Sequence, residues 1–178
     1  MKKLILSVTL AVIISQTMFA QNAVATAAGS DTIKNPKNSI YVEVAGPTLF
    51  GASLNYERFF SKKPGGLSIK IGYGIGTAPG LGENNDATFN VLPVGLSYNL
   101  PVSQNRRSFI ELGAEIIFVS SNDGNEQVVA PVAAWRWQTK SGAFQLRAGF
   151  LFFVSSPTPN DNSYGLVPWP AISLGTKF

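Results

Sequence analysis

The sequence predicts an all-β protein, an eight-stranded antiparallel up-and-down transmembrane β-barrel that is preceded by a signal peptide. From residue 39 onward, apolar and polar residues alternate in runs separated by turn residues, which is the pattern of strands with one apolar face. Charged residues make up only 13% of the chain, about half of the usual quarter, so a water-facing surface would be poorly covered. The third observation is an export-like N-terminal segment.

The N-terminal segment has the parts of a secretory signal peptide. Residues 1–3 carry positive charge, residues 4–14 are apolar, and the predicted cleavage site follows Ala20, with Ala25 or Ala27 as alternatives. The apolar part is shorter than the roughly 20 residues that a membrane-spanning helix needs. We therefore expect three segments, a signal peptide, a flexible lead-in and a barrel, at residues 1–20, 21–38 and 39–178.

The composition excludes several kinds of chemistry. The chain contains no histidine and no cysteine, so Ser-His-Asp triads, imidazole bases, His-ligated metals and disulfides are ruled out. The formal charge of +4 falls to +2 when the two lysines of the signal peptide are subtracted (4 − 2), and no basic run resembles a nucleic-acid footprint. We expect no cofactor, no nucleic-acid partner and no catalysis.

The first half of the alternating region indicates two hairpins. Residues 40–44 alternate between apolar and polar, a short connection with Pro47 follows, and residues 50–57 alternate again. The third run, 67–76, places five large apolar residues on one face and Ser, Lys and Gly on the other. The third run is about ten residues long, the length that crosses a bilayer when the strand is tilted, and the fourth, 92–100, alternates less regularly.

The second half indicates two more hairpins. The fifth run, 110–118, and the seventh, 144–154, are regular and long. The sixth, 128–138, is irregular, and the eighth, 172–178, ends the chain on an apolar residue. Because an open strand edge cannot remain in hydrocarbon, eight such strands are expected to close into a barrel.

The sixth run allows two registers. One turns Arg136 toward lipid, which costs about 2–4 kcal/mol at the bilayer midplane. The other turns Trp135 and Trp137 outward, where tryptophan favours the membrane interface, and Arg136 inward. We predict the second register, with Pro131 as a place where a bulge would shift it.

Prolines lie at or near the start of the even-numbered runs. A closed barrel has no free edge on which a residue without an N–H group could sit. Bulges or the upper rim of the barrel are therefore the expected locations of Pro47, Pro93, Pro131, Pro168 and Pro170.

The connections separate by charge. With the N-terminus placed in the periplasm, the odd-to-even connections face the outside and carry acids without bases, namely Glu83, Asp86, Asp123, Glu126 and Asp161. The even-to-odd connections carry bases without acids, namely Lys62, Lys63, Arg106, Arg107 and Lys140. This division gives the predicted barrel an acidic outer rim and a basic inner rim.

Ionisable residues of the strands fall on the inward face. An eight-stranded barrel is only wide enough for side chains to fill, and unpaired buried ions are costly. We expect a self-satisfying charge network in a filled interior, formed by Glu43, Glu57, Lys70, Glu111, Glu115, Arg136 and Arg147. The alternative is a proton or ion path along the same residues.

Aromatic residues gather near the basic connections. Tyr56, Tyr98, Trp135 and Trp137 fit the aromatic belt that anchors a membrane protein at the interface. Packing in a core is the alternative interpretation.

The last seven residues, 172–178, alternate and end in Phe178, and this stretch resembles the C-terminal signature of outer-membrane barrels. Segments 55–60, 110–113 and 135–138 are similar to small, uncharacterised outer-membrane barrel proteins of Gram-negative bacteria. The architecture resembles that of OmpA/OmpX-type barrels, which usually have longer loops than the first connection here. The resemblance implies a bacterial outer-membrane location and makes Phe178 a signal for the barrel-assembly machinery, but it implies no activity.

These observations favour a monomeric barrel with a structural or surface-interaction role. Its expected partners are outer-membrane lipid and the barrel-assembly machinery. A lipid-modifying enzyme is the first alternative, although known designs of that kind depend on histidine. A narrow pore is disfavoured by the strand count. A secreted lipocalin-like binder would instead have an apolar interior and dissolve without detergent.

Overall fold

The computed structural model describes seven stretches of the chain, residues 36–61, 64–78, 87–103, 107–122, 124–139, 143–155 and 165–178. The predicted signal peptide and all but the last residues of the lead-in lie outside them. Within them, eight antiparallel strands pair in sequence order, and the first pairs with the last to close a barrel. The predicted all-β, eight-stranded, up-and-down barrel is confirmed.

The strands follow the alternating runs and extend most of them by a few residues. Their bounds are β1 Asn38–Ala45, β2 Ala52–Phe59, β3 Gly66–Ala78, β4 Ala87–Pro101, β5 Ser108–Ser121, β6 Gly124–Gln138, β7 Gln145–Ser155 and β8 Gly165–Lys177. We call the end of the barrel at which odd-numbered strands finish the upper end, and the opposite end the lower end.

Side chains alternate between the lumen and the outside, as the period of a strand requires. On β5, Ile110, Leu112 and Ile116 are exposed, whereas Glu111 and Glu115 are buried. The apolar residues therefore cover the outside of the barrel and the polar ones fill its middle, the reverse of a water-soluble barrel.

The prolines shift no register, so the predicted bulges are wrong, whereas Pro47 lies in the turn at the upper end, the other predicted location. The pairing of β6 with β5 runs without a slip through Pro131, and the pairing of β8 with β7 runs through Pro168 and Pro170. These residues instead sit where a neighbouring ladder ends: β6 pairs with β7 only from Val132 downward, and β8 pairs with β1 only from Ala171 downward. A missing N–H group costs little where no partner strand is present.

The connection between β1 and β2 turns into the lumen at the upper end. It is a single 3₁₀ turn, Gly46–Thr48, whose three residues are all buried. Ala45 and Leu49, on either side, have positive φ angles of 60° and 54°, a strained conformation that persists only where the surroundings fix it. A rim connection was expected here, but the turn is part of the interior.

Room for this turn comes from a missing side chain on β3. A Cβ atom on Gly76 would lie 2.1 Å from the carbonyl oxygen of Thr48 and 2.7 Å from the ring of Phe89. Replacing Gly76 by alanine is therefore expected to lower the free energy of unfolding by about 1–3 kcal/mol, since the backbone must shift. Chemical denaturation of protein refolded into vesicles measures this change. Ile75→Val, an outward neighbour that adds nothing to the lumen, is the control, and equal stability of the two variants would contradict the packing described.

Candidate functional site: the barrel interior

All seven ionisable residues predicted to face inward are buried in the lumen. Their residual exposure is at most 5%, and they come from six of the eight strands, as Glu43, Glu57, Lys70, Glu111, Glu115, Arg136 and Arg147. Alternation along each strand is sufficient to place them there. We call this set the charged layer.

Arg136 ties opposite walls of the barrel together. Its Nη1 and Nη2 atoms donate to the two carboxylate oxygens of Glu57 at 2.7 and 2.9 Å. Strands β6 and β2, which carry the pair, are four positions apart in a ring of eight and so face each other across the lumen. The same guanidinium donates to Oε2 of Glu111 at 2.8 Å. Bidentate arginine–carboxylate pairs of this kind combine strength with fixed geometry.

A second arginine extends the layer upward. Nε of Arg147 donates to Oε2 of Glu111 at 3.0 Å, and its Nη1 atom pairs with Glu43. Lys70 pairs with Glu115, and its Nζ atom lies 3.8 Å from Oε1 of Glu43. The pairs form one continuous network across the lumen, so the ions compensate one another where water is scarce.

The predicted network omitted Lys177, which lies at the lower edge of the layer. Its Nζ atom donates to Oε1 of Gln138 at 3.0 Å and stands 4.0 Å from the ring centroid of Phe59. Arg136 approaches the same ring at 5.2 Å, so Phe59 contacts two cations. With Lys177 included, the buried ions among the described residues number four acids and four bases. The alternation of the last strand already put Lys177 on the inward face.

The upper part of the lumen is apolar and partly empty, which corrects the expectation of a filled interior. A cavity of about 610 Å³ lies there, between the buried cluster around Phe89 and Ile117 and the ends of the strands. Val119, Val128 and Phe153 line its walls. The sequence contained a signal for this region, because residues 116–119 and 150–154 are continuous apolar runs in which both faces of the strand are hydrophobic.

The predicted interface aromatics all lie on the outer face toward the lower end. Tyr56 and Trp135 are exposed, and Tyr98 and Trp137 are partly covered. Trp137 packs edge-on against Phe144 at 6.3 Å. None of the four points into the lumen, so core packing is not their role.

Phe178 closes the seam between the first and last strands. Its backbone exchanges two hydrogen bonds with Asn38, at 2.8 and 3.1 Å, and its ring is exposed.

Of the rim charges, only Glu126 and Arg107 belong to the described residues, at the upper and lower ends respectively. The other eight lie outside them.

The part of the chain that the structure describes contains no group of three or more acidic, histidine or cysteine side chains that could hold a metal ion. Within the same ranges, no helix has the length and apolar character needed to cross a membrane. No protein-family model matches the chain, and no curated protein matches it either.

The geometry limits what the interior can do. The charged layer fills the middle of the lumen with paired ions, and all of its carboxylates contact a cation. Such an arrangement braces opposite walls of the barrel. The upper cavity is separate from this layer, and its volume of about 610 Å³ is large enough for a small ligand.

Proposed function

We propose that the chain is an integral protein of a bacterial outer membrane, with a structural or surface-interaction role and no catalytic activity. The observation that carries this proposal is the belt of exposed apolar side chains around the closed barrel. Soluble monomers rarely expose contiguous apolar surface beyond several hundred Å². A belt that continues around all eight strands fits a barrel surrounded by lipid.

The height of the belt supports the same proposal. On β5 the outward apolar positions extend from Ile110 to Phe118, eight residue steps, or about 26 Å along the strand at about 3.3 Å per residue. A strand tilt of about 40° reduces this to about 20 Å, close to the apolar band of outer-membrane barrels. Above the belt, the outer face turns polar at Asn90, Ser120 and Gln127.

The interior supports a role other than transport or catalysis. The charged layer obstructs the lumen where a pore would need to be open, and the chain has no histidine. On this proposal the aromatic residues at the lower end form the periplasmic interface, Phe178 is the assembly signal, and lipid and the assembly machinery are the partners of a monomeric barrel.

Fractionation of a Gram-negative host tests the location. Expressed full-length protein is expected in the outer-membrane band of a density gradient, to resist carbonate washing, and to migrate differently in a gel before and after boiling, because closed barrels resist unfolding by detergent. A variant that lacks residues 2–20 is the control and is expected to stay in the cytoplasm. Recovery of the full-length protein in a soluble fraction, or unchanged mobility on boiling, would contradict the proposal.

A further inference from the structure

The upper cavity differs from the charged layer below it because its lining is mainly apolar and because it encloses empty space. Leu49, Phe89, Ile117, Val128 and Phe153 are among its described lining residues, and it lies at the upper end of the described part of the barrel. Its volume of about 610 Å³ falls within the roughly 300–1,000 Å³ of small-molecule sites, which are likewise mostly apolar. Replacing the water in an apolar space of this size by hydrocarbon lowers the free energy of the system.

Among the described lining residues, the polar side chains lie at the end of the cavity away from the charged layer, which we call its mouth. Asn125 and Glu126 lie there, both exposed, and none of the described lining residues is a lysine or arginine. The ions of the charged layer are already paired with one another and lie beyond the buried cluster that contains Ile117. A ligand's apolar part therefore fits inside, its polar part fits at the mouth, and the mouth favours positive charge.

We propose that the upper cavity binds a single cationic amphiphile, with its alkyl chain in the lumen and its positive head beside Glu126. The carboxylate attracts a cationic head and repels an anionic one of equal size. Chain burial supplies the affinity and Glu126 the selectivity. The proposed site is formed by the barrel lumen, so it does not rest on the proposed cellular location of the protein.

The alternation of the strands provides a direct test of the site, because the methyl groups of neighbouring residues lie on opposite faces, one in the lumen and one on the outside of the barrel. Purified protein in phospholipid nanodiscs is titrated with dodecyltrimethylammonium that carries a nitroxide on its chain end, and methyl NMR signals are followed. Bound ligand is expected to broaden Ile117 and Val119 in a saturable way. Ligand that merely dissolves in the bilayer broadens the outward neighbours Ile116 and Val129 more strongly than Ile117 and Val119, and without saturation. Failure of the protein to enter nanodiscs would count against the membrane proposal, whereas unsaturable broadening that is strongest at the outward methyls would overturn the site.

Two matched variants and one charge change complete the test. Val128→Phe places a ring in the cavity and is expected to weaken saturable binding about ten-fold or more, whereas Val129→Phe, on the outer face, leaves it unchanged. The corresponding dodecylsulfonate probe is expected to bind roughly thirty-fold more weakly than the cation at low ionic strength, because the attraction of one charge and the repulsion of the other, each about five-fold at close range in water, multiply. Glu126→Gln is expected to reduce that difference. Equal effects of the two valine variants would overturn the site, and equal or tighter sulfonate binding would overturn the assignment of a cationic head.

Discussion

Replacing Arg136 by methionine is expected to lower the free energy of unfolding by about 3–5 kcal/mol, because it leaves buried charge without compensation. Among the described residues, Arg136 is the only ion-pair partner of Glu57, whose exposure is 2%. Glu111 loses one of two arginines but keeps Arg147. Urea denaturation of protein refolded into phospholipid vesicles, followed by tryptophan fluorescence, measures the change.

Two further variants separate loss of the ion pair from loss of an arginine. Arg58→Met removes an arginine from the outer face of β2, next to Glu57 in the chain, and is expected to change stability little. The double variant Glu57→Gln with Arg136→Met is expected to be more stable than Arg136→Met alone, since it removes the stranded carboxylate. If the double variant lost as much as the two single variants added together, Glu57 and Arg136 would be energetically independent and the cross-lumen tie would be wrong.

Replacing Leu96 by arginine is expected to destabilise the vesicle-bound barrel by about 2–4 kcal/mol, the cost of a cation on the lipid face near the bilayer midplane. Leu96 is the central outward residue of the apolar stretch of β4 and is 50% exposed. The same substitution on a water-exposed surface would change stability by only about 0.5 kcal/mol. Denaturation in vesicles gives the value.

Thr88 provides the matched control on the same strand. It faces outward at the upper end of β4, above the apolar stretch. Thr88→Arg is expected to cost only about 0–1 kcal/mol, because charges near the interface remain hydrated. Similar small losses for both variants would mean that the belt does not face hydrocarbon, and the membrane proposal would fail.

Local pattern was sufficient to predict most of the architecture. Alternation with a period of two determines which side chains share a face, so the sequence assigns Glu111 and Arg136 to the lumen and Trp135 to the outside. The number of strands followed from the turn residues between runs. The alternation of the last strand likewise places Lys177 on the inward face.

Tertiary structure decided what a one-dimensional pattern cannot contain. Alternation states that Arg136 and Glu57 face inward, but only closure of the barrel brings β6 opposite β2 and makes them partners. The lumen position of the Gly46–Thr48 turn depends on space left by Gly76 on another strand. The volume of the upper cavity is also decided by tertiary packing, because it depends on how many side chains enter the lumen at one height. The sequence by itself determined the faces, which are set by local backbone geometry, and the tertiary structure determined the contacts and the empty space, which are set by packing between strands distant in the chain.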